Sequence, residues 1–540
     1  MRKIAPLLIY LLLLTVVSAP HAAQAGLLRP VTPPADDRVQ ACRSSIPRSA
    51  YAAVDFALLT APTLTLNLFD DLTLSAVQTG NAPRPSGLPG SIWLGRLSDY
   101  DYSSVVLAID PVTQRINGRI SVPGYRYSIT PVFSAPGVHR IEQIELGTSP
   151  QLPLGSAASG LGLESSLIPL PAAPGSRADD GSQIDLMVAY TPAAVSILER
   201  VVGDVDLAID NAVAFTNQVL SDSAVNTQLR LVHTQAVFYL EQPNVDFDAD
   251  LNHLMGKSDG WMDELHPLRD QYQADLVALI TGTWFASYRG NAPAPAPLSE
   301  ARGFSVTEGC NIQDETFTQM IGYNLGSSTD AANTPPGENP VQAYGYDYQD
   351  PPTGGGDLGD FVTIMASRTG GSCPPIVTAN QCPVIERFSN PNQSFGGKPS
   401  GSADADNARS INELRVTVAN YRDSTAGGTP TPTVTPGGAT PTPTSTPVPV
   451  TLLINGGFEI DADNDTVPDF WSGRNVGVGD ARTCGGIGDG STCAFTLTGA
   501  VDENSRLQQT ISGAGLNVGA TVTLSGAIKA DNGSSGAQLK

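Results

Sequence analysis

Phe317-Thr-Gln-Met-Ile-Gly-Tyr-Asn-Leu-Gly-Ser-Ser-Thr-Asp330 is the stretch on which the fold turns. Gly322 inside a helical pattern costs about 1 kcal/mol against Ala, and Gly326 then fits a helix stop. Upstream, Ile184-Asp-Leu-Met-Val-Ala-Tyr190 reads as a buried strand. Pro192 opens a helix where its missing N–H is harmless. Val195, Leu198, Val202, Val205, Ile209, Val213 and Leu220 keep helical spacing on one face. Gln228-Leu-Arg-Leu-Val232 is a second strand. A helical stretch follows from about Asp248 to Asp270, and Asp275-Leu-Val-Ala-Leu-Ile-Thr281 is a third, apolar strand. The alternation predicts an α/β domain with a mostly parallel sheet over residues 183–424.

The whole chain has 540 residues, 53 acidic against 30 basic side chains, and a net charge of −23. Its length suggests about three to four domains. The acid excess argues against a nucleic-acid partner, because nothing would neutralise the phosphates. The chain has only 5 histidines, so a zinc site built on imidazole must draw on His21, His139, His233, His253 and His266.

The flanks have distinct compositions. Residues 1–25 read as a secretory signal: Arg2 and Lys3, an apolar run from Ile4 to Val17, then Ala23-Gln-Ala25 for cleavage. No later run of about 18 apolar residues follows, so the mature chain is expected to be exported, extracellular or at the cell surface, with no membrane span. Residues 50–150 carry strand-like runs at Thr63, Ser91, Ser104 and Gly118, a β-rich domain. Residues 151–182 are a Ser/Gly/Ala/Pro connector in which Arg177 is a candidate cleavage point. Residues 425–448 are a Thr-Pro linker that stays extended. Residues 449–540 return to short strands and Gly-rich turns, a β-sandwich pattern.

An even set of cysteines in an exported chain suggests disulfides. Cys484 and Cys493 are expected to pair locally. Cys373 with Cys382 is one further option, leaving Cys310 and Cys42 without obvious partners. Cys310 with Cys373 or Cys382 is the other.

Fragments along 183–424 stand in the order of a known family. They are the opening strand, Leu268-Arg-Asp, Ala274-Asp-Leu-Val, Phe304-Ser-Val, Cys310, Gly322-Tyr-Asn-Leu-Gly326 and Tyr344-Gly-Tyr. Thr363-Ile-Met-Ala366, Cys382-Pro-Val-Ile, Phe388-Ser-Asn-Pro391, Asp406-Asn-Ala-Arg and Val418-Ala-Asn-Tyr-Arg422 follow. The domain resembles the reprolysin-like branch of the metzincin zinc peptidases. The family motif, H-E-x-x-H-x-x-G-x-x-H, puts two imidazoles on one helix face and a third after a glycine turn, leaving one zinc position for water. Its Glu takes that water's proton. Here the three ligand positions are Gln319, Tyr323 and Thr329, and the Glu position is Met320. Gly322, Asn324, Leu325, Gly326 and Asp330 match, and Met365 stands in the Met-turn, where the resemblance implies packing beneath the metal. An amide oxygen and a neutral hydroxyl are poor zinc ligands, a phenol binds only when deprotonated, and a thioether is no base. No catalytic residue and no zinc ligand are therefore expected, and His233, His253 and His266 read as packing or surface residues.

The 50–150 segment resembles the family's propeptide through Leu68-Phe-Asp-Asp-Leu-Thr-Leu and Ile92-Trp-Leu-Gly-Arg. Leu453-Ile-Asn-Gly-Gly-Phe-Glu459 and Pro468-Asp-Phe-Trp471 resemble the opening of carbohydrate-binding jelly rolls, and Asp461, Asp463 and Asp465 alternate as in a Ca²⁺ loop, with Thr466 where a Gly normally turns. Only about four strand-like runs remain where a jelly roll needs about eight, so this module is expected to be incomplete. The reading is a secreted reprolysin-like homologue without catalysis, a binding or scaffold protein for a protein or peptide ligand. No cofactor is assigned with certainty, zinc belonging to active relatives and calcium being a candidate. One alternative is an active noncanonical zinc endopeptidase using Asp330, Tyr323 and Asp347 or Asp357. Another is a surface glycan-binding or adhesion protein, suggested by the Thr-Pro stalk and C-terminal module.

Overall fold

The structure, a computed structural model, describes residues 26–34, 46, 48–100, 102–122, 125–145, 179–241, 247–282, 290–293, 298–331, 347–348, 361–366 and 384–422, with short pieces between 458 and 508. The expected signal peptide, most of the connector with Arg177, the Thr-Pro linker, Cys42, Cys373, Cys382 and the Asp461, Asp463 and Asp465 loop lie outside the described residues. The chain divides into two compact units, Met1–Thr425 and Ala426–Lys540.

The β-rich N-terminal region folds as β1 (Leu28–Pro30), β2 (Arg48–Val54), β3 (Thr63–Phe69), β4 (Leu72–Pro83), β5 (Ser91–Leu97), β6 (Ser104–Asp110), β7 (Arg115–Val122), β8 (Tyr125–Pro131) and β9 (Val138–Glu145). The strands pair antiparallel in the order β1-β2-β9-β8-β7-β6-β5-β4-β3. Period-two patterning drives this: in β3, Leu64, Leu66 and Leu68 are buried while the residues between them are partly exposed. The two edges meet, because Leu27 N–H donates to the Thr65 carbonyl at 2.8 Å and Leu28 N–H to Asn67 Oδ1 at 2.9 Å. The sheet thus curls into a barrel, its two edge strands meeting at this corner. Alternate residues of β6 face different cores. Val105, Leu107 and Ile109 fill the barrel, while Val106 and Ala108 join the core of the α/β body.

The body runs β10 (Gln183–Tyr190), α1 (Pro192–Val201), α2 (Val205–Asp222), β11 (Gln228–Ala236), α3 (Phe247–Met255), α4 (Leu265–Gln271), β12 (Leu276–Thr281), β13 (Gly290–Asn291), β14 (Phe304–Glu308) and α5 (Thr316–Asn324). Short strands β15 (Asp347–Tyr348), β16 (Phe361–Thr363), β17 (Val384–Ile385), β18 (Asn390–Phe395) and β19 (Lys398–Ser400) precede α6 (Asn407–Val418). The main sheet has the order β11-β10-β12-β14-β13. β10 runs parallel to β11 and β12, β12 runs parallel to β14, and β13 is an antiparallel edge.

Two expected helices are each divided. The run from Pro192 breaks at Gly203, whose φ is +74° and where a Cβ would lie 1.7 Å from the Pro131 carbonyl oxygen of the barrel. Asp204 restarts the helix, its carboxylate accepting from Leu207 N–H at 3.0 Å. The stretch from Asp248 to Asp270 is interrupted around Gly260 and Met262, both at positive φ. Asp259 and Asp263 accept backbone N–H groups of that turn at 3.0 to 3.2 Å, which is how Asp competes with helix.

Cys310 is disulfide-bonded, and its partner lies outside the described residues. In the second unit Cys484 and Cys493 form a disulfide across the paired segments Ala481–Cys484 and Cys493–Thr496. Phe458 packs on Trp471 with ring centroids 5.2 Å apart.

Burial raises the pKa of three carboxyl groups of the body: Glu199 is pushed up to about 7, Asp206 to about 6 and Asp275 to about 7. The carboxylate of Asp204 adds to the first two. Each keeps its proton in the folded chain at pH values where the unfolded chain has lost it. Their contribution to stability is complete below the ordinary carboxylate range and is lost as pH rises to about 7. The melting temperature of Glu199→Gln should therefore fall less steeply than that of the parent between pH 4.5 and pH 7. Parallel pH profiles would disprove this assignment.

Candidate active site

Helix α5 is built into the body on every side. Asp314 Oδ1 accepts from Thr316 N–H at 2.8 Å at its start. Thr318 and Thr216 share a hydroxyl–hydroxyl hydrogen bond of 2.9 Å, tying α5 to α2. Asn324 Nδ2 donates to the Phe304 carbonyl at 2.9 Å, tying its last turn to β14. The helix ends in a Schellman motif: Ser327 N–H donates to the Gly322 carbonyl at 2.9 Å and Gly326 N–H to that of Tyr323 at 3.1 Å. Gly326 has φ +90°, so glycine suits the turn here.

Below α5 lies the turn 363–366, closed by Ala366 N–H on the Thr363 carbonyl at 2.9 Å. Met365 is fully buried. A Cβ on Gly322 would stand 2.7 Å from Met365 Sδ and 3.0 Å from Phe388 Cε1. Gly322 is therefore the groove into which the methionine fits.

The positions expected to carry chemistry in the family lie on α5 and just after it, all of them buried. Gln319, 8% exposed, donates from Nε2 to the Ile364 carbonyl at 2.7 Å. Met320, 1% exposed, lies against the edge strand: a Cβ on Gly290 would meet its Cγ at 3.1 Å and its Sδ at 3.2 Å. Tyr323 is 2% exposed, and its hydroxyl has no hydrogen-bond partner among the described residues. Burial raises its pKa, and the Asp330 carboxylate raises it further, so the phenol stays protonated. Thr329 Oγ1 donates to Asp330 Oδ2 at 3.4 Å.

This donor set does not fit zinc. The metal needs neutral imidazoles or anionic ligands. The site instead offers an amide engaged with backbone, a phenol held neutral and an uncharged hydroxyl. Among the described residues no group of three or more His, Cys, Asp or Glu is arranged to hold a metal ion. The alternative set pairs Tyr323 with Asp330, but the side chain of Asp347 and all of Asp357 lie outside the described residues.

The four described histidines each have a partner. The His233 ring stacks on Tyr272 at 3.8 Å. His253 Nδ1 bonds the Tyr239 hydroxyl at 2.9 Å and its ring stacks on Trp261 at 5.1 Å. His266 Nε2 bonds the Gly256 carbonyl at 2.6 Å. In the barrel, His139 Nε2 accepts from Ile116 N–H at 3.0 Å, and burial pushes its pKa down to about 4.

Sequence reasoning missed two features. The Gln319–Ile364 bond spans 45 residues, and no local pattern announces it. The other is Glu315, at the N-terminal edge of α5, gripped by Arg119 Nη2 at 3.0 Å and Arg126 Nη1 at 3.3 Å from the barrel. Its one sequence signal is arginine on the polar alternation of β7 and β8, Arg115-Ile-Asn-Gly-Arg-Ile-Ser-Val122 and Tyr125-Arg-Tyr-Ser-Ile-Thr-Pro131.

The α/β sheet, the glycine-terminated helix and the methionine turn define a metzincin-like peptidase fold. Residues 182–392 match metallo-peptidase family M12B, reprolysin-like. A peptidyl-Asp metalloendopeptidase of Stenotrophomonas maltophilia (strain R551-3) is 27% identical over 443 residues, 76% of this chain and 96% of the relative. One of Xanthomonas campestris pv. campestris is 28% identical over 375 residues, 65% of this chain and 80% of the relative. The solved metalloproteinase-II from Bacteroides fragilis aligns at 11% identity with a TM-score of 0.30, covering 49% of this chain and 81% of that one.

Two substitutions test the local architecture. Gln319→Ala leaves the buried Ile364 carbonyl without its donor and should destabilise the chain by about 1–3 kcal/mol in denaturant melts. Gly322→Ala should gain about 1 kcal/mol of helix propensity and lose more to overpacking against Met365, about 1–3 kcal/mol. A net gain in stability for Gly322→Ala would contradict the groove.

Proposed function

We propose that the chain is an exported, catalytically inactive reprolysin-like homologue that binds polypeptide through the cleft its relatives use for cleavage. The observation that carries this reading is the state of α5. Gln319 is committed to the Ile364 carbonyl, Met320 to the underside of Gly290, and Tyr323 is held as a neutral phenol. Hydrolysis of a peptide bond at a zinc site needs a metal-bound water and a base to take its proton, and none of these groups supplies either. No helix among the described residues is long and apolar enough to cross a membrane, which is compatible with export. The curated relatives bear the name peptidyl-Asp metalloendopeptidase, so aspartate-containing peptides are the first ligands to try.

The test is zymography together with metal analysis of the purified full chain, followed by calorimetric titration with aspartate-containing peptides. No chelator-sensitive cleavage and zinc far below one per chain are expected. Robust chelator-sensitive proteolysis with about one zinc per chain would sink the reading in favour of a noncanonical endopeptidase.

A further inference from the structure

Helix α2 points to a role for the barrel that its resemblance to a propeptide does not suggest. Residues 207–216 of α2 are buried without interruption. A helix buried all round has neighbours on both faces. One face of α2 lies on the sheet of the body. Against the other lie barrel residues Ile92, Val106 and Ala108, which belong to the same apolar core as Ile209 and Val213. Asn211 Nδ2 donates to the backbone carbonyls of Val106 at 3.1 Å and Asn117 at 2.8 Å. The body alone would expose this face as a broad apolar patch.

The charges at the seam are arranged in the same sense. Arg84, Arg119 and Arg126 of the barrel are only 4%, 2% and 3% exposed. Arg84 Nε meets Asp210 Oδ2 at 2.6 Å. Arg119 Nη2 meets Glu315 Oε1 at 3.0 Å and Glu386 Oε1 at 2.6 Å, and its guanidinium lies 3.7 Å over the Phe215 ring. Every one of these partners belongs to the body. Buried ion pairs add little net stability over apolar contacts, but they are costly to break one partner at a time and they set register. Gly203 makes the fit closer still, with the Pro131 carbonyl where its Cβ would be.

We propose that the barrel is a permanently seated half of the fold and not a releasable shield, so that a chain cut in the connector persists as a two-piece complex. The arginines hold both sides of the candidate site, Glu315 at the start of α5 and Glu386 just after β17. This holds whether or not the cleft is catalytic.

The experiment inserts a specific protease site between residues 160 and 161 of the full chain, cuts the folded protein, and follows it by size-exclusion chromatography on serial dilution. The two pieces should co-elute at the position of the uncut chain and part only in denaturant. In Arg119→Met the cut pieces should dissociate about 100-fold more readily. Asp210→Asn, which keeps its shape and removes the charge facing Arg84, carries the same comparison should Arg119→Met fail to fold. Free barrel after cutting the unaltered sequence would overturn the proposal. So would cut Arg119→Met and Asp210→Asn chains that hold together as tightly as their parent.

Discussion

The candidate site depends on one contact, that between helix α5 and the turn carrying Met365. In a zinc peptidase with this motif the helix carries metal ligands, and the resemblance places the methionine turn beneath them. Here Met365 Sδ fits the space that a Cβ on Gly322 would need, and the Gln319 amide bonds the neighbouring Ile364 carbonyl at 2.7 Å. Helix and turn are therefore cross-linked by packing and one buried hydrogen bond. Such a link is individually weak, of order 1 kcal/mol net, but breaking it strands a buried carbonyl. The surrounding ties from α5 to Thr216 and Phe304 share that constraint.

The barrel places a second constraint on the same helix from outside. Glu315 stands at its N-terminal edge, where negative charge favours the helix dipole, and Arg119 and Arg126 supply the counter-charge. Burial would depress a lone guanidinium's affinity for its proton. For Arg119 that effect is the largest single influence, yet Glu386 and Glu315 together outweigh it and the pKa is raised. Arg269, whose donors meet the carbonyls of Ala274 and Glu300 at 3.0 and 2.9 Å, is instead lowered to about 10, burial again being the chief cause. Arg119 pairs directly with two carboxylates, whereas Arg269 bonds carbonyls and the Arg422 charge adds to the effect of its burial, outweighing Glu300, Asp275 and Asp270.

Local and periodic features were legible in the sequence. The alternation in Thr63-Leu-Thr-Leu-Asn-Leu68 places leucines inside and β3 on the barrel, and the apolar run before Tyr190 is β10. Thr191 and Pro192 start α1, with the Thr191 hydroxyl accepting from Ala194 N–H at 3.0 Å. What escaped was decided by distant chain. The break at Gly203 is enforced by Pro131 of the barrel, although the apolar spacing passes through it undisturbed. The continuous burial of α2 needs two partners, of which the helix pattern reveals one. At the site, the altered motif positions were readable as chemistry, but where Gln319 and Met320 would go depended on Ile364 and Gly290, which the fold alone brings near.

The replacements at the motif positions are mutually dependent, and burial is the reason. Met320 is 1% exposed and packed against Gly290. A carboxylate in its place would be desolvated with no metal-bound water to hold, a costly state for a charged group. A histidine at 319 would forfeit the bond to Ile364 without gaining a metal unless 323 and 329 changed as well. The phenol at 323 is tolerable while it keeps its proton beside Asp330, whereas a phenolate there would carry its charge in a closed space. A carboxylate at 320 would be a buried charge, and a lone imidazole at 319 would strand the Ile364 carbonyl. The physical state of this cleft is a property of the set.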